Sequence, residues 1–214
     1  MNDKSLKKGR VFQVKWATNE WEIEQAKRIR QAVFCEEQGV FQEHDRDEID
    51  LIAQPLIVTT SILGMPEEVV GTVRIHQPEP GLWWGSRLAV KKEFRRQGVL
   101  GASLIRLAVS SANTLGCHTF LATVQEQNEV LFKRLHWDTI GYESIHGMKH
   151  AKMQADLEYY PELKQPDLGF WVTGRPVKPQ AVSVYLSGND ADSQRIISSE
   201  TNLGKEASHV GVTS

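Results

Sequence analysis

Phe12, Val14 and Trp16 alternate with Gln13 and Lys15, the period-two pattern of a half-buried strand over Val11 to Trp16. Asn19 and Glu22 follow at capping-box spacing and start a helix with a broad apolar face of Trp21, Ile23, Ala26, Ile29, Ala32, Val33 and Cys35. Glu24, Lys27, Arg28 and Gln31 supply its wet side, and the helix is expected to end near Gly39. Gln42 to Asp50 is acidic and polar, a loop or short second helix lying over any site. Leu56 to Ile62 and Val69 to His76 are rich in β-branched residues, with Gly64, Met65 and Pro66 as the hairpin turn between them. Leu82 to Val90 is a further strand. It runs into a basic turn, Arg95-Arg96-Gln97-Gly98, which opens a helix carrying Leu100, Leu104, Leu107, Ala108 and Leu115 at helical spacing.

Gly116 ends that helix, Thr119 to Val124 forms the next strand, and Asn128 to Leu135 reads as a short helix with Asn128 as its N-cap. Tyr142 to Ile145 and Met148 to Ala155 are an antiparallel pair turning at Gly147. The order is β-α-β-β-β-α-β-α-β-β. It predicts an α/β (α+β) domain over residues 1–160, with a mixed, largely antiparallel sheet flanked by helices. After Pro161 the texture changes. Four prolines, Pro161, Pro166, Pro176 and Pro179, are expected to interrupt any regular element, so residues 161–185 form an arm packed on the domain or on a partner. Phe170 and Trp171 on that arm suit a homodimer. Residues 186–214, poor in apolar side chains, are expected to be a disordered tail.

Composition narrows the functional classes. Among 214 residues, 25 lysines and arginines stand against 27 acidic residues, so the net charge of -2 provides no global attraction to nucleic acid or to an anionic membrane. Any phosphate binding must be local. No apolar run approaches the ~20 residues needed to cross a bilayer, and the basic start of the chain lacks a signal-peptide core. Cys35 and Cys117 are read as free thiols of a cytoplasmic protein. His146 and His150, on an extended strand, stand ~13 Å apart, too far to share one ion, so no metal site is expected.

The turn after Val90 has the parts of a phosphate cradle. Free amides and the positive end of a helix dipole face it, glycine permits close approach, and arginine adds charge-assisted hydrogen bonds. A strand, glycine turn and helix serves a purely structural purpose equally well, and the flanking segments have to decide.

Those segments resemble the GNAT superfamily of acyl-CoA-dependent N-acyltransferases over about Val11 to Leu157. Arg95-Arg96-Gln97-Gly98 is similar to the family's pyrophosphate loop, Arg/Gln-x-x-Gly-x-Gly/Ala, preceded by the strand Leu88-Ala89-Val90. Residues Arg30 to Val40, followed by Asp45 to Asp50, resemble the first-helix signature of a subgroup with small acceptors. Asn128 to Trp137 and His150 to Met153 resemble its C-terminal motif.

The resemblance implies a strand splayed at Leu88 to Val90, whose freed backbone groups, Ala89 included, bind the pantetheine arm of acetyl-CoA. It implies an oxyanion contact from the Val90 N–H, and a pyrophosphate held by the amides of Gln97, Gly98, Val99, Gly101 and Ala102 with Arg95 and Arg96 in support. Asn128 would touch CoA and Phe132 would wall its tunnel. Leu100 occupies the place of the loop's second small residue. Phe132 stands where relatives often carry a tyrosine that protonates the leaving thiolate, and phenylalanine has no proton to give.

An attacking amine must lose a proton near neutral pH, which directs attention to histidine. His76 and His150 are the candidates, with Glu37 as a carboxylate that could hold or relay the proton of a cationic acceptor. Trp83 and Trp84 put one indole on each face of their strand, one in the core and the other at the acceptor cleft or an interface. The expected activity is acetyl transfer to a primary amine, of a small molecule or an exposed amino group, with no nucleic-acid or membrane partner. Alternatives are an acyl-CoA-binding sensor without turnover, motivated by Phe132, and an enzyme like the acyl-homoserine-lactone synthases, suggested by Arg30 to Phe34 with the acidic segment.

Overall fold

The computed structural model describes residues 10–62, 64–145 and 147–175. His146, residues 176–185 of the expected arm and the whole expected tail lie outside them. Eight strands form one sheet in the order β6-β7-β5-β4-β3-β2-β1-β8. They are β1 (Val11–Trp16), β2 (Gln54–Ile62), β3 (Met65–Glu79), β4 (Leu82–Val90), β5 (Thr119–Gln125), β6 (Trp137–Ile145), β7 (Met148–Ala155) and β8 (Phe170–Thr173). The helices are α1 (Glu20–Arg30), α2 (Val99–Thr114) and α3 (Glu129–Arg134). Every strand pairing is antiparallel except β4 with β5. The mixed, largely antiparallel α/β sheet expected from the sequence is the observed one.

The sheet separates two apolar layers. On one face Phe12, Val14, Leu56, Val58, Val73, Ile75 and Trp83 meet Leu100, Leu104, Leu107 and Ala108 of α2. On the other, Ile57, Val69 and Ala89 meet Ala26, Ile29 and Val33 of the first helix. Each fully buried large side chain contributes ~1.5–3 kcal/mol, so these layers fix the sheet on which the site is built. Glu22 anchors the start of α1. Its carboxylate, 1% exposed, accepts the N–H groups of Thr18 at 2.8 Å and Asn19 at 3.1 Å and pairs with the Lys15 ammonium at 2.8 Å.

Three local expectations are corrected. The first helix does reach toward Gly39, but from Gln31 to Glu37 it widens into a π-turn in which the Gln38 N–H reaches back five residues to the Val33 carbonyl at 3.0 Å. Asn128 does not cap α3 through its side chain. Its φ of -97° and ψ of -6° are already near-helical, and an Asx cap needs extended backbone to aim its oxygen back at the following amides.

The segment after Pro161 also contains a regular strand. Pro161 and Pro166 precede Phe170–Thr173 rather than interrupt it, and the four residues pair with the open edge of β1. Gly169 makes that approach possible, since a Cβ there would sit 1.8 Å from the Val14 carbonyl oxygen. Phe170 packs on the core beneath the Arg106 guanidinium, while Trp171 remains 50% exposed.

Candidate active site

β4 and β5 pair only from Leu82 with Thr119 to Gly85 with Ala122. Past Gly85 the strands part. β4 stays with β3 as far as Val90, while Thr123, Val124 and Gln125 of β5 stay with Lys152, Ala151 and His150 of β7. The Lys91 N–H donates to the Val70 carbonyl at 2.9 Å, which makes Gly71 and Val90 a non-hydrogen-bonded pair. By the alternation of an antiparallel ladder, the N–H and C=O of Val90 point away from β3, and the carbonyl accepts from Arg95 Nε at 2.8 Å.

A bulge lies between these two paired stretches of β4. The β3–β4 register passes from Thr72 with Ala89 to Arg74 with Ser86, and Arg87 takes a φ of 56°. That left-handed conformation costs ~1–2 kcal/mol for a non-glycine residue and persists because the side chain is held on several sides. The Arg87 guanidinium lies 3.0 Å from Asp45 Oδ2, 3.2 Å from Asp47 Oδ2 and 4.6 Å from the centre of the Phe41 ring.

The opening holds a cavity of about 280 Å³ that passes through the sheet. On the α2 and α3 side its walls include Ile105, Ala108, Phe120, Phe132 and Trp137, and on the π-turn side Phe34, Gln38, Phe41 and Trp84. Leu88 and Ser86 of β4 face Thr123 and Gln125 of β5 across it. The walls are mostly apolar, with a few converging polar groups, as in small-molecule sites. Thr123 donates its hydroxyl proton to Glu143 at 2.9 Å, and the Gln125 amide donates to Gln38 Oε1 at 3.2 Å.

Three arginines and three aspartates brace the π-turn side. Arg30 pairs with Asp45 at 2.7 Å and Asp50 at 2.5 Å, and Arg74 with Asp47 at 2.6 Å and Asp50 at 2.7 Å, while Arg87 joins Asp45 and Asp47. Arg74, only 2% exposed, also donates Nε–H to Ser86 Oγ at 2.9 Å. Hydrogen bonds from Arg74 hold the Asp47 carboxyl below its ordinary range. At Asp50 burial opposes the same trend, and hydrogen bonds from Arg30 and Arg74 overcome it. The acidic segment is therefore an ion-paired brace joining α1, β3 and the bulge of β4.

The expected site residues divide. Leu88, Asn128, Phe132 and His150 line the cavity. His150 lies 2.9 Å through Nδ1 from the Met148 carbonyl, an acceptor only, so Nδ1 is the donor there, and Nε2 has no partner among the described residues. His76 does not line the cavity. It pairs with Trp84 across the β3–β4 ladder, its Nδ1 is buried without a partner, and burial followed by the nearby Arg74 charge pushes its pKa down. Neither Ala89 nor Val90 lines the cavity, although the Val90 N–H points away from β3, and the residues of this strand that do are Trp84 to Leu88. Glu37 lies away from the cavity, bound to Arg95.

In the basic turn Arg95 is fully engaged, with Nε–H on the Val90 carbonyl at 2.8 Å and its two terminal nitrogens on the Glu37 carboxylate, whereas Arg96 is exposed. The Gln97 side chain is buried and accepts the Arg175 N–H at 2.7 Å, and the Gly98 N–H donates to the Arg95 carbonyl at 3.1 Å. Gly98, at φ 60°, precedes α2, and a Cβ at Gly98 or Gly101 would meet no atom within 4 Å, so the space over Val99, Gly101 and Ala102 is open. Leu100 does not obstruct it, because its side chain is 1% exposed and faces the core. Trp83 is buried and Trp84 walls the cavity. The sequence reading missed Ser86, Thr123, Gln38 and Gln125, polar residues within or beside predicted elements that only the strand splay and the π-turn bring together.

Residues 19–136 match the family model described as Acetyltransferase (GNAT) family. The chain belongs to this family. A solved acyl-CoA N-acyltransferase from Pseudomonas aeruginosa superposes with a TM-score of 0.55 at 17% identity, covering 68% of this chain and 99% of that one. FeeM, an N-acyl amino acid synthase from uncultured soil microbes, gives 0.55 at 14% identity, covering 70% and 92%. The AHL synthase LasI gives 0.53 at 15% identity, covering 70% and 91%. At these identities the likeness is one of fold. No protein of curated function matches the chain. Membership of the GNAT family supports acyl-CoA-dependent N-acyl transfer in general.

Proposed function

We propose that this GNAT protein transfers an acyl group, acetyl in the first instance, from acyl-CoA to a primary amine by direct attack in a ternary complex. The observation that carries this reading is the cavity through the sheet at the β4–β5 splay, with the open glycine turn at the end of β4. The pantetheine arm would lie along the parted strands on the α2 and α3 side, forming the hydrogen bonds that the β4–β5 ladder leaves unmade. The amides that open α2, Val99 to Gly101, with the Arg96 guanidinium, would hold the pyrophosphate, since the Gly98 N–H is already bonded to the Arg95 carbonyl.

In the reaction the amine nitrogen forms a bond to the thioester carbon and the carbon–sulfur bond breaks. The N–H of Leu88, a cavity-lining residue, would steady the charge on the carbonyl oxygen, and His150 Nε2 would take the proton lost by the amine. The thiolate leaves as such or takes a proton from water, since the Phe132 ring offers none. Free Cys35 and Cys117 suit a reducing, cytoplasmic setting.

A steady-state thiol-release assay with acetyl-CoA and a panel of amines tests the reading. Turnover that falls by ~10²-fold in His150→Gln, with acetyl-CoA affinity kept, supports it. Acetyl-CoA binding in the micromolar range with no turnover of any amine would favour the sensor reading instead.

A further inference from the structure

On the π-turn side two hydrogen-bond donors, one in the cavity wall and one beside it, are taken by no acceptor among the described residues. Ser86 is one. Arg74 Nε–H occupies a lone pair of its oxygen at 2.9 Å, so the hydroxyl proton is turned away from the buried guanidinium, and no acceptor among the described residues takes it. The other cavity hydroxyl, Thr123, spends its proton on Glu143.

Lys152, which does not itself line the cavity, is the second donor and lies against its Trp84 wall. It sits on β7 between Thr123 of β5 and Gly141 of β6, half-buried, with its ammonium 5.4 Å from the centre of the Trp84 ring. Glu143 is its diagonal neighbour on β6, yet that carboxylate accepts from Thr123, and Lys152 forms no ion pair among the described residues. Lys15, Lys27, Lys91, Lys133 and Lys149 pair with glutamates, whereas Lys92, Lys152 and Lys164 form no ion pair among the described residues, and of these three Lys152 is the one against a cavity wall. A partly desolvated ammonium held by an aromatic face alone keeps its hydrogen-bonding capacity for a ligand. Ser86 and Trp84 are two residues apart on β4 and share a face, so the free hydroxyl and the free ammonium flank one indole wall.

We propose that the acyl acceptor is an amine carrying a carboxylate, with the Lys152 ammonium and the Ser86 hydroxyl holding that carboxylate while Trp84, Phe34 and Phe41 enclose an apolar side chain. The proposal rests on the acyl-transfer reading above and adds the acceptor class. It makes Lys152 and Ser86 determinants of acceptor binding, and leaves the chemistry at the thioester unchanged.

The test compares L-phenylalanine and L-leucine with the matched amines that lack the carboxylate, phenethylamine and 3-methylbutylamine. Each is assayed for CoA release from acetyl-CoA and for binding to the CoA-loaded protein by calorimetry. The expected result is a preference of about tenfold or more in kcat/KM for the amino acids, and tighter calorimetric binding of them. Lys152→Met should bring the ratio to within about threefold through KM with kcat retained, Lys152→Arg should keep most of the preference, and Ser86→Ala should lower it partway. Equal use of the matched amines, or amino-acid binding that is the same in wild type and Lys152→Met, overturns the proposal. Binding of the amino acids that needs Lys152 but gives no product upholds the acceptor site and counts against acyl transfer.

Discussion

Arg95 and Glu37, 58 positions apart, face each other as a two-pronged ion pair, with Arg95 Nη2 2.7 Å from Glu37 Oε2. The pair ties the basic turn to the π-turn that carries the roof of the cavity. Arg95 therefore acts between elements, and Arg96 is the arginine left to meet a phosphate.

Arg96→Ala should weaken acetyl-CoA binding by about fivefold, more at low salt, as expected for one exposed charge-assisted contact of ~1 kcal/mol. Arg95→Ala should change CoA affinity by less than about twofold and instead raise KM for the amine, because the π-turn loses its tether. Calorimetry and steady-state kinetics on the two variants separate these roles.

Phe132 packs edge-on against Trp137, with ring centres 5.1 Å apart, and lines the cavity. Phe132→Tyr would add the missing hydroxyl with little change in packing. A kcat rise of up to about tenfold in the thiol-release assay, with a stability change under ~1 kcal/mol, is the expected outcome.

His136 follows α3 at φ 62° and stacks on Tyr159 with ring centres 3.6 Å apart. His136→Gly relieves the left-handed backbone as it removes the stack, two effects of ~1 kcal/mol each that nearly cancel. His136→Ala keeps the strain and loses the stack, so it should be the less stable variant by ~1 kcal/mol in denaturant melts.

Acid should unfold the protein in two stages. His76 has a folded pKa below its ordinary 6.5, so the unfolded chain binds more protons and the stability present above that value is lost as pH falls through the folded pKa. Asp47 and Asp50, held below 3.8 by Arg74 and Arg30, contribute stability that is complete above 3.8 and lost below it. His76→Gln should remove the upper stage. Asp50→Asn should cost about 3 kcal/mol at neutral pH by leaving Arg30 and Arg74 undercompensated, and should flatten the lower stage. Urea titrations across the pH range read both.

Much of this architecture was legible in local pattern. Leu82 to Val90 is a strand with those limits, because its ends are marked by a glycine turn and a basic turn that owe nothing to distant residues. β8 was not legible, since four residues between prolines become a strand only when the β1 edge is there to pair with them. The acidic segment reads in the sequence as a loop or short second helix, and it holds one short 3-10 turn, Glu48–Leu51. What makes it a brace is that Arg30, Arg74 and Arg87, from three separate elements, converge on it. One signal was present in the sequence, for Arg74 stands between Val73 and Ile75 in an apolar run, where a charge has to find buried partners. The cavity walls were harder still, because the splay, the bulge at Arg87 and the π-turn are properties of pairing and not of composition.

The central claim is that acyl-CoA binds in the opening between β4 and β5, and a crystal structure of the protein with CoA tests it most directly. The account predicts pantetheine amides bonded to the backbone of residues 86–90 and 123–125, pyrophosphate on the amides of residues 99–101, and the sulfur beside Leu88 and Phe132. CoA bound elsewhere, or a cavity that stays closed to it at saturating concentration, would contradict the account.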